Sequence, residues 1–143
     1  MTPAKLMAEA EKARRFSYSP YSHFAVGAAL LTKSGKVVLG CNVESASYGL
    51  ACCAERTAVF KAISEGESEF EAIAVTAGKS SRGAAPCGAC RQVMYEFAPD
   101  LWVYYRAAGG RIVRRRLSAL LPDAFVWKGA QSGKPRARKG KKS

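Results

Sequence analysis

The 143-residue chain carries 23 Lys and Arg against 11 Asp and Glu, a net charge of +12, with 48% hydrophobic and 24% charged residues. That length and balance fit one globular domain, which buries about two thirds of its unfolded surface without needing a disulfide framework. No apolar run nears the roughly 18 residues of a membrane span, and the charged–apolar alternation of MTPAKLMAEAEKARRF lacks the apolar centre of a secretory signal, so the reading is a cytoplasmic protein.

Thr2 and Pro3 form an N-cap and first helical position, and Leu6, Met7, Ala10, Ala13 and Phe16 then repeat at helical spacing to about Ser17. The segment YSPYS is a loop in which Pro20 breaks any helix. Residues 25–32 (AVGAALLT) predict a strand, Ser34-Gly35 a turn, and 36–43 (KVVLGCNV) its hairpin partner. Residues 44–52 read as irregular. A helix follows from Cys53 to about Ser64, closed by Gly66. Residues 70–76 (FEAIAVT) predict a buried strand, 77–86 a loop ending in Pro86, and 88–97 a helix. Residues 101–106 (LWVYYR) and 111–116 (RIVRRR) predict strands joined at Gly109-Gly110, and a short helix over 117–121 precedes Pro122.

The expected order is α-β-β-α-β-α-β-β-α. Each hairpin implies an antiparallel pair, and the two crossover helices predict that the strands they join pair in parallel. The fold class is α/β, one mixed five-stranded sheet with helices on both faces.

Charge is unevenly spread. Residues 129–143 (GAQSGKPRARKGKKS) hold six basic and no acidic residues, leaving 17 against 11, or +6, for 1–128. The domain is therefore expected over 1–127 and a flexible basic tail over 128–143, since such a composition builds no core. Arg111, Arg114, Arg115 and Arg116 form a second cluster. Solvated faces explain both clusters; weak nucleic-acid contact is the sharper alternative.

The five cysteines are Cys41, Cys52, Cys53, Cys87 and Cys90. An odd count in a cytoplasmic chain argues against a disulfide scaffold. Cys87 and Cys90 form a C-x-x-C, which suits metal ligation or a redox pair; ligation needs further Cys or His residues, and the chain supplies Cys53. Cys53-Ala54-Glu55 and Pro86-Cys87-Gly88-Ala89-Cys90 each open a predicted helix. Helix N-termini stabilise thiolates and prepare them for metal. Both starts follow strands of one sheet, the place where α/β sheets carry their sites. Three thiolates on Zn²⁺ leave one position open, as in catalytic zinc, and Glu55 is placed to take a proton from water there. Arg56 is placed to donate hydrogen bonds to the thiolates and offset a net charge of −1.

At these residues, CAERTA followed by PCGACRQ, the chain resembles the zinc-dependent cytidine deaminase superfamily in its Cys₃ form. SPYSHFAVGAALLT, GCNVESASYG and LLPDAF extend the resemblance to the short nucleoside-acting members over roughly 5–126. The resemblance implies a three-layer α/β/α cytidine deaminase-like fold. It also implies hydrolytic deamination of cytidine and deoxycytidine in pyrimidine salvage. Cys53, Cys87 and Cys90 match the zinc ligands and Glu55 the proton shuttle. Phe24 matches the aromatic that packs on the pyrimidine, and Asn42 and Glu44 match the pair that binds the ribose hydroxyls, with Val43 between them. The backbone at Ala54 matches the contact with the amide edge of the base. The family builds homotetramers with shared pockets, and Tyr48 and Phe125 match residues lent to a neighbouring chain.

Other readings stay open at this point. The thiols could hold a structural zinc with Cys41 as fourth ligand; Cys41 and Cys52 otherwise read as buried or inert, and His23 as a loop residue. Phe24 and Phe125 could be plain core. The ending LLPDAFVWKG also resembles the blasticidin S deaminases, and the basic tail admits a nucleic-acid-acting cytosine deaminase. Residues 128–143 and the Arg-rich strand depart from the family pattern.

Overall fold

A computed structural model describes residues 1–127; the expected flexible tail, 128–143, lies outside the described residues. The elements are α1 (Pro3–Arg14), β1 (Gly27–Thr32), β2 (Val37–Cys41), α2 (Ala54–Ser64), β3 (Phe70–Thr76), α3 (Gly88–Phe97), β4 (Trp102–Arg106), β5 (Ile112–Arg116) and α4 (Leu117–Leu120). Helix α1 starts where the sequence predicts: Thr2 Oγ1 accepts from Lys5 N at 3.1 Å, and Pro3 is its first residue. It stops at Arg14, short of Ser17, because Phe16 lies 71% exposed and off the apolar face.

The five strands form one mixed sheet in the order β2-β1-β3-β4-β5. One expected pairing fails. Strands β2 and β3 do not pair; β1 lies between them, antiparallel to both, and the parallel pair is β3–β4. The burial patterns give the reason. All six residues of β1 are buried, as in a central strand covered on both faces, whereas β2 alternates half-buried and buried as an edge strand does. Because both neighbours run antiparallel to β1, β2 and β3 still point the same way. Strand β2 also ends at Cys41 rather than 43, and Val43 makes separate bridges to Tyr18 and Cys52.

Two apolar layers enclose the sheet. Leu6, Met7 and Ala10 of α1 pack on Ala29, Leu31, Ala72, Ala74 and Tyr104. On the opposite face Ala54, Ala58 and Val59 of α2, Met94 of α3 and Leu117 of α4 pack on Ala28, Leu30, Ile73, Val75 and Val103. The helices come close because two strand positions have no side chain. A Cβ on Gly27 would sit 2.1 Å from the Ala10 carbonyl oxygen, and one on Gly40 would sit 2.5 Å from Ala58 N and 2.6 Å from the Ala54 oxygen.

Candidate metal and nucleoside site

Helices α2 and α3 leave the ends of β2 and β3 that share one edge of the sheet, so their N-termini meet. Cys53 is the N-cap of α2 and Cys87 the N-cap of α3; Cys90 lies in the first turn of α3. The Cys53 and Cys87 sulfurs are 3.9 Å apart and those of Cys87 and Cys90 3.5 Å; all three lie within 4.8 Å of one another. At the roughly 2.3 Å Zn–S bond of thiolate sites, tetrahedral ligand sulfurs stand about 3.8 Å apart. The cluster thus fits a zinc ion, and it is the metal-competent cluster found among the described residues.

The electrostatics suit the same ion. Hydrogen bonds from Cys90, Arg56 and Cys87 pull the Cys53 thiol down to about 5 against its burial. Cys90, the donor to Cys53 and itself buried, is held well above the usual thiol range, so its proton must leave when a metal enters. Arg56 Nη2 donates to Cys53 Sγ at 3.4 Å, and that bond raises the guanidinium pKa. Glu55 is 4% exposed, and burial beside the Cys53 thiolate pushes its carboxyl up to about 7. A carboxyl that exchanges its proton near neutrality is what a proton shuttle needs. Cys52 stands apart, accepting from Thr57 Oγ1 at 3.7 Å, and Cys41 is held up by burial.

The ribose-binding candidates occupy a loop clamp. Asn42 Oδ1 accepts from Ser17 Oγ at 2.5 Å and Val26 N at 2.9 Å, while its Nδ2 donates to the Phe24 carbonyl at 2.8 Å. The Glu44 carboxylate accepts from Tyr21 N, Ser22 N and Ser22 Oγ, which holds it below the usual carboxylate range. These two side chains shape the 17–26 loop that presents Phe24. Glu44 also lines a cleft of about 330 Å³ with Tyr21, Ser22, Ser45, Tyr48 and Ala51. Ala54 is buried at the start of α2, and Val43 is half exposed beside Cys52. Removing the clamp in Asn42→Ala is expected to cost about 1–3 kcal/mol in urea unfolding and to raise KM for nucleoside; unchanged values of both would contradict its role.

Tyr48 and Phe125 are 78% and 72% exposed, so neither belongs to the core of this chain. Gln92 fixes the Phe125 backbone from both sides, its Nε2 donating to the Phe125 oxygen at 2.9 Å and its Oε1 accepting from Phe125 N at 3.3 Å. Arg91 likewise ties the Pro86 oxygen to the Leu120 oxygen, both at 2.8 Å, bracing the loop that carries Cys87. Sequence reasoning missed Ser17, Ser22, Arg91 and Gln92. Their partners lie 5 to 33 residues away, and the only sequence signal was the polar residues clustered next to the motifs.

Residues 1–106 match the family described as the cytidine and deoxycytidylate deaminase zinc-binding region. A cytidine deaminase from Halalkalibacterium halodurans is 55% identical over 85% of this chain and 92% of its own length. The blasticidin-S deaminase of Bacillus cereus is 31% identical over 71% and 76%. The crystal structure of a cytidine deaminase from Burkholderia pseudomallei superposes with a TM-score of 0.82 at 52% identity, covering 87% of this chain and all of that one.

Proposed function

The chain belongs to the family of zinc-binding cytidine and deoxycytidylate deaminases, and from that premise we propose that it hydrolyses cytidine and deoxycytidine to uridine and deoxyuridine with release of ammonia. It is a hydrolase whose metal is zinc. The observation that carries the reading is the three-thiol cluster with a buried carboxyl and a guanidinium on the same helix turn.

Cys53, Cys87 and Cys90 would hold the ion. Zinc held by these three thiolates would supply Lewis acidity for hydrolysis at C4 of the base. The rest falls to side chains. Glu55 takes the proton of the attacking water on a carboxylate oxygen, delivers it to N3, and then moves a proton to the departing amine. Its burial keeps that proton from bulk solvent. Arg56 offsets the negative charge of the thiolate set through Cys53 Sγ. Phe24 packs on the pyrimidine, Asn42 and Glu44 with Val43 between them receive the ribose, and the Ala54 backbone meets the amide edge. In Arg56→Gln the uncompensated thiolate charge is expected to lower the rate and move the rate–pH profile to higher pH; an unchanged profile would remove Arg56 from this role.

The substrate choice of cytidine over a nucleoside antibiotic is favoured by the identities, 55% against 31%. An ammonia-release panel of cytidine, deoxycytidine, cytidine monophosphate, blasticidin S and a single-stranded oligonucleotide tests it. The reading requires the free nucleosides to lead; faster turnover of blasticidin S or the oligonucleotide would overturn it.

The assembly we propose is a homotetramer with shared pockets. Phe16, Tyr48, Leu50, Phe125, Val126 and Trp127 are each more than 60% exposed, large apolar side chains that assembly would cover. Phe125→Ala is expected to lower turnover and loosen assembly together, read by light scattering beside the activity assay. A fully active monomer would contradict the shared pocket. A site of three reduced thiols suits the cytoplasm, and no helix among the described residues is long and apolar enough to cross a membrane.

A further inference from the structure

The α1-side face of the sheet is covered unevenly. Helix α1 lies over β1, β3 and β2 and reaches β4 chiefly at Tyr104, which leaves the outer part of the β4–β5 hairpin uncovered by it. The register sets Arg106 opposite Ile112, Tyr104 opposite Arg114 and Trp102 opposite Arg116, so these six residues share that face. Tyr104 is buried beneath it, and Ile112 and Trp102 are half-buried. Arg114 and Arg116 are exposed, and both guanidinium groups lie against the Trp102 indole, at 3.7 and 3.9 Å from the ring centroid. Arg116 also donates to the Asp100 oxygen at 2.7 Å. Beyond Tyr104 the face opens into a concavity of about 690 Å³ lined by Ala8, Glu11, Lys12, Arg15 and Arg106. Arg106 donates from Nη1 to the Gly110 oxygen at 2.6 Å, and its buried Nε has no hydrogen-bond partner among the described residues.

We propose that this shelf, from Arg116 and Arg114 to Arg106 and Arg15, is a docking surface for the phosphate backbone of single-stranded nucleic acid, separate from the deaminase site; Lys12 at its rim is paired with Glu9. Alternate strand positions are about 7 Å apart, so the arginines form a line of fixed cations about 13 Å long. The indole holds two of them in place, which reduces the side-chain entropy lost on binding. Guanidinium forks match phosphate oxygens. The Trp102 indole is occupied by two guanidinium groups and Tyr104 is buried, so neither offers a face to a base, and binding is expected to depend little on sequence. A membrane surface would need apolar side chains projecting beside the charges; here the ring lies against the guanidinium groups. The tail cannot be the occupant, because it carries only positive charge. Edge-strand arginines also deter sheet-to-sheet pairing, but that role asks for nothing at Arg106 and Arg15 across the face.

Three full-length proteins test the proposal: wild type, Arg114→Gln with Arg116→Gln, and a form with Lys134, Arg136, Arg138, Lys139, Lys141 and Lys142 all changed to Gln. Binding of a labelled 20-nucleotide single-stranded RNA is measured from 50 to 200 mM salt. Two lost phosphate contacts should lower the slope of log K against log salt by about 1.4 and weaken binding about tenfold. Cytidine turnover should stay at the wild-type value, since neither arginine is in the catalytic machinery. The tail-neutralised form should keep that same arginine-dependent slope. Binding abolished by tail neutralisation and untouched by the double replacement would overturn the proposal. So would competition by polyglutamate equal to RNA at equal charge, which would mark an acidic protein as the partner.

Discussion

Glu55→Gln is expected to fold, to hold a full complement of zinc, and to lose turnover by at least the roughly 10²–10⁴ that a general acid–base group supplies. The argument rests on position. Glu55 is 4% exposed, two residues after Cys53 in the first turn of α2, yet it is not part of the three-sulfur metal cluster. Glutamine fills the same space, so the helix start that presents Cys53 survives. What it lacks is the carboxylate oxygen proposed above to carry the proton. Metal analysis beside an ammonia-release assay separates the two roles. A zinc-loaded variant with near wild-type rate would remove Glu55 from the chemistry, and a variant without zinc would make it a structural support.

Gly40→Ala is expected to damage the fold and the site together. Its new methyl would meet Ala58 N at 2.5 Å and the Ala54 oxygen at 2.6 Å, both backbone atoms of α2 that cannot swing aside. Overpacking of this kind costs about 3 kcal/mol, which for a chain near this length lowers Tm by about 6–12 °C. The helix that must retreat is the one whose first turn places Cys53, Glu55 and Arg56, so activity should fall further than stability alone explains. Gly27→Ala, with a contact of 2.1 Å to the Ala10 oxygen, strains α1 instead, and should destabilise without first displacing the thiols. Thermal unfolding and turnover of both variants at a temperature where each is folded provide the check. Equal losses of activity at equal stability would break the link between Gly40 and the site.

The sequence made the metal site legible because its geometry is local. Cys87 and Cys90 fall on one helix turn, and Cys53, Glu55 and Arg56 on another, so ligand spacing can be read without the fold. What brings the two turns together is the common direction of β2 and β3, and that was anticipated for the wrong reason: the strands run the same way through β1, not by pairing. A clue was present, since GAALLT offers no polar residue before Thr32 and therefore suits burial on both faces. The loop clamp was not legible. Asn42 reaches Ser17, Phe24 and Val26, and Glu44 reaches Tyr21 and Ser22, contacts fixed by how the chain returns rather than by any spacing. The charge of Arg114 and Arg116 was plain, but the face they share with Trp102 follows only from the β4–β5 register.

The most direct measurement on the central claim is the sulfur count at the metal. Zinc X-ray absorption on the full-length protein should give three sulfur ligands at about 2.3 Å and one lighter atom, the open position that Glu55 serves. Changing Cys41 or Cys52 to serine should leave that count at three, whereas changing Cys53, Cys87 or Cys90 should reduce it or release the metal. A four-sulfur shell that falls to three in Cys41→Ser would make the zinc structural and contradict the account.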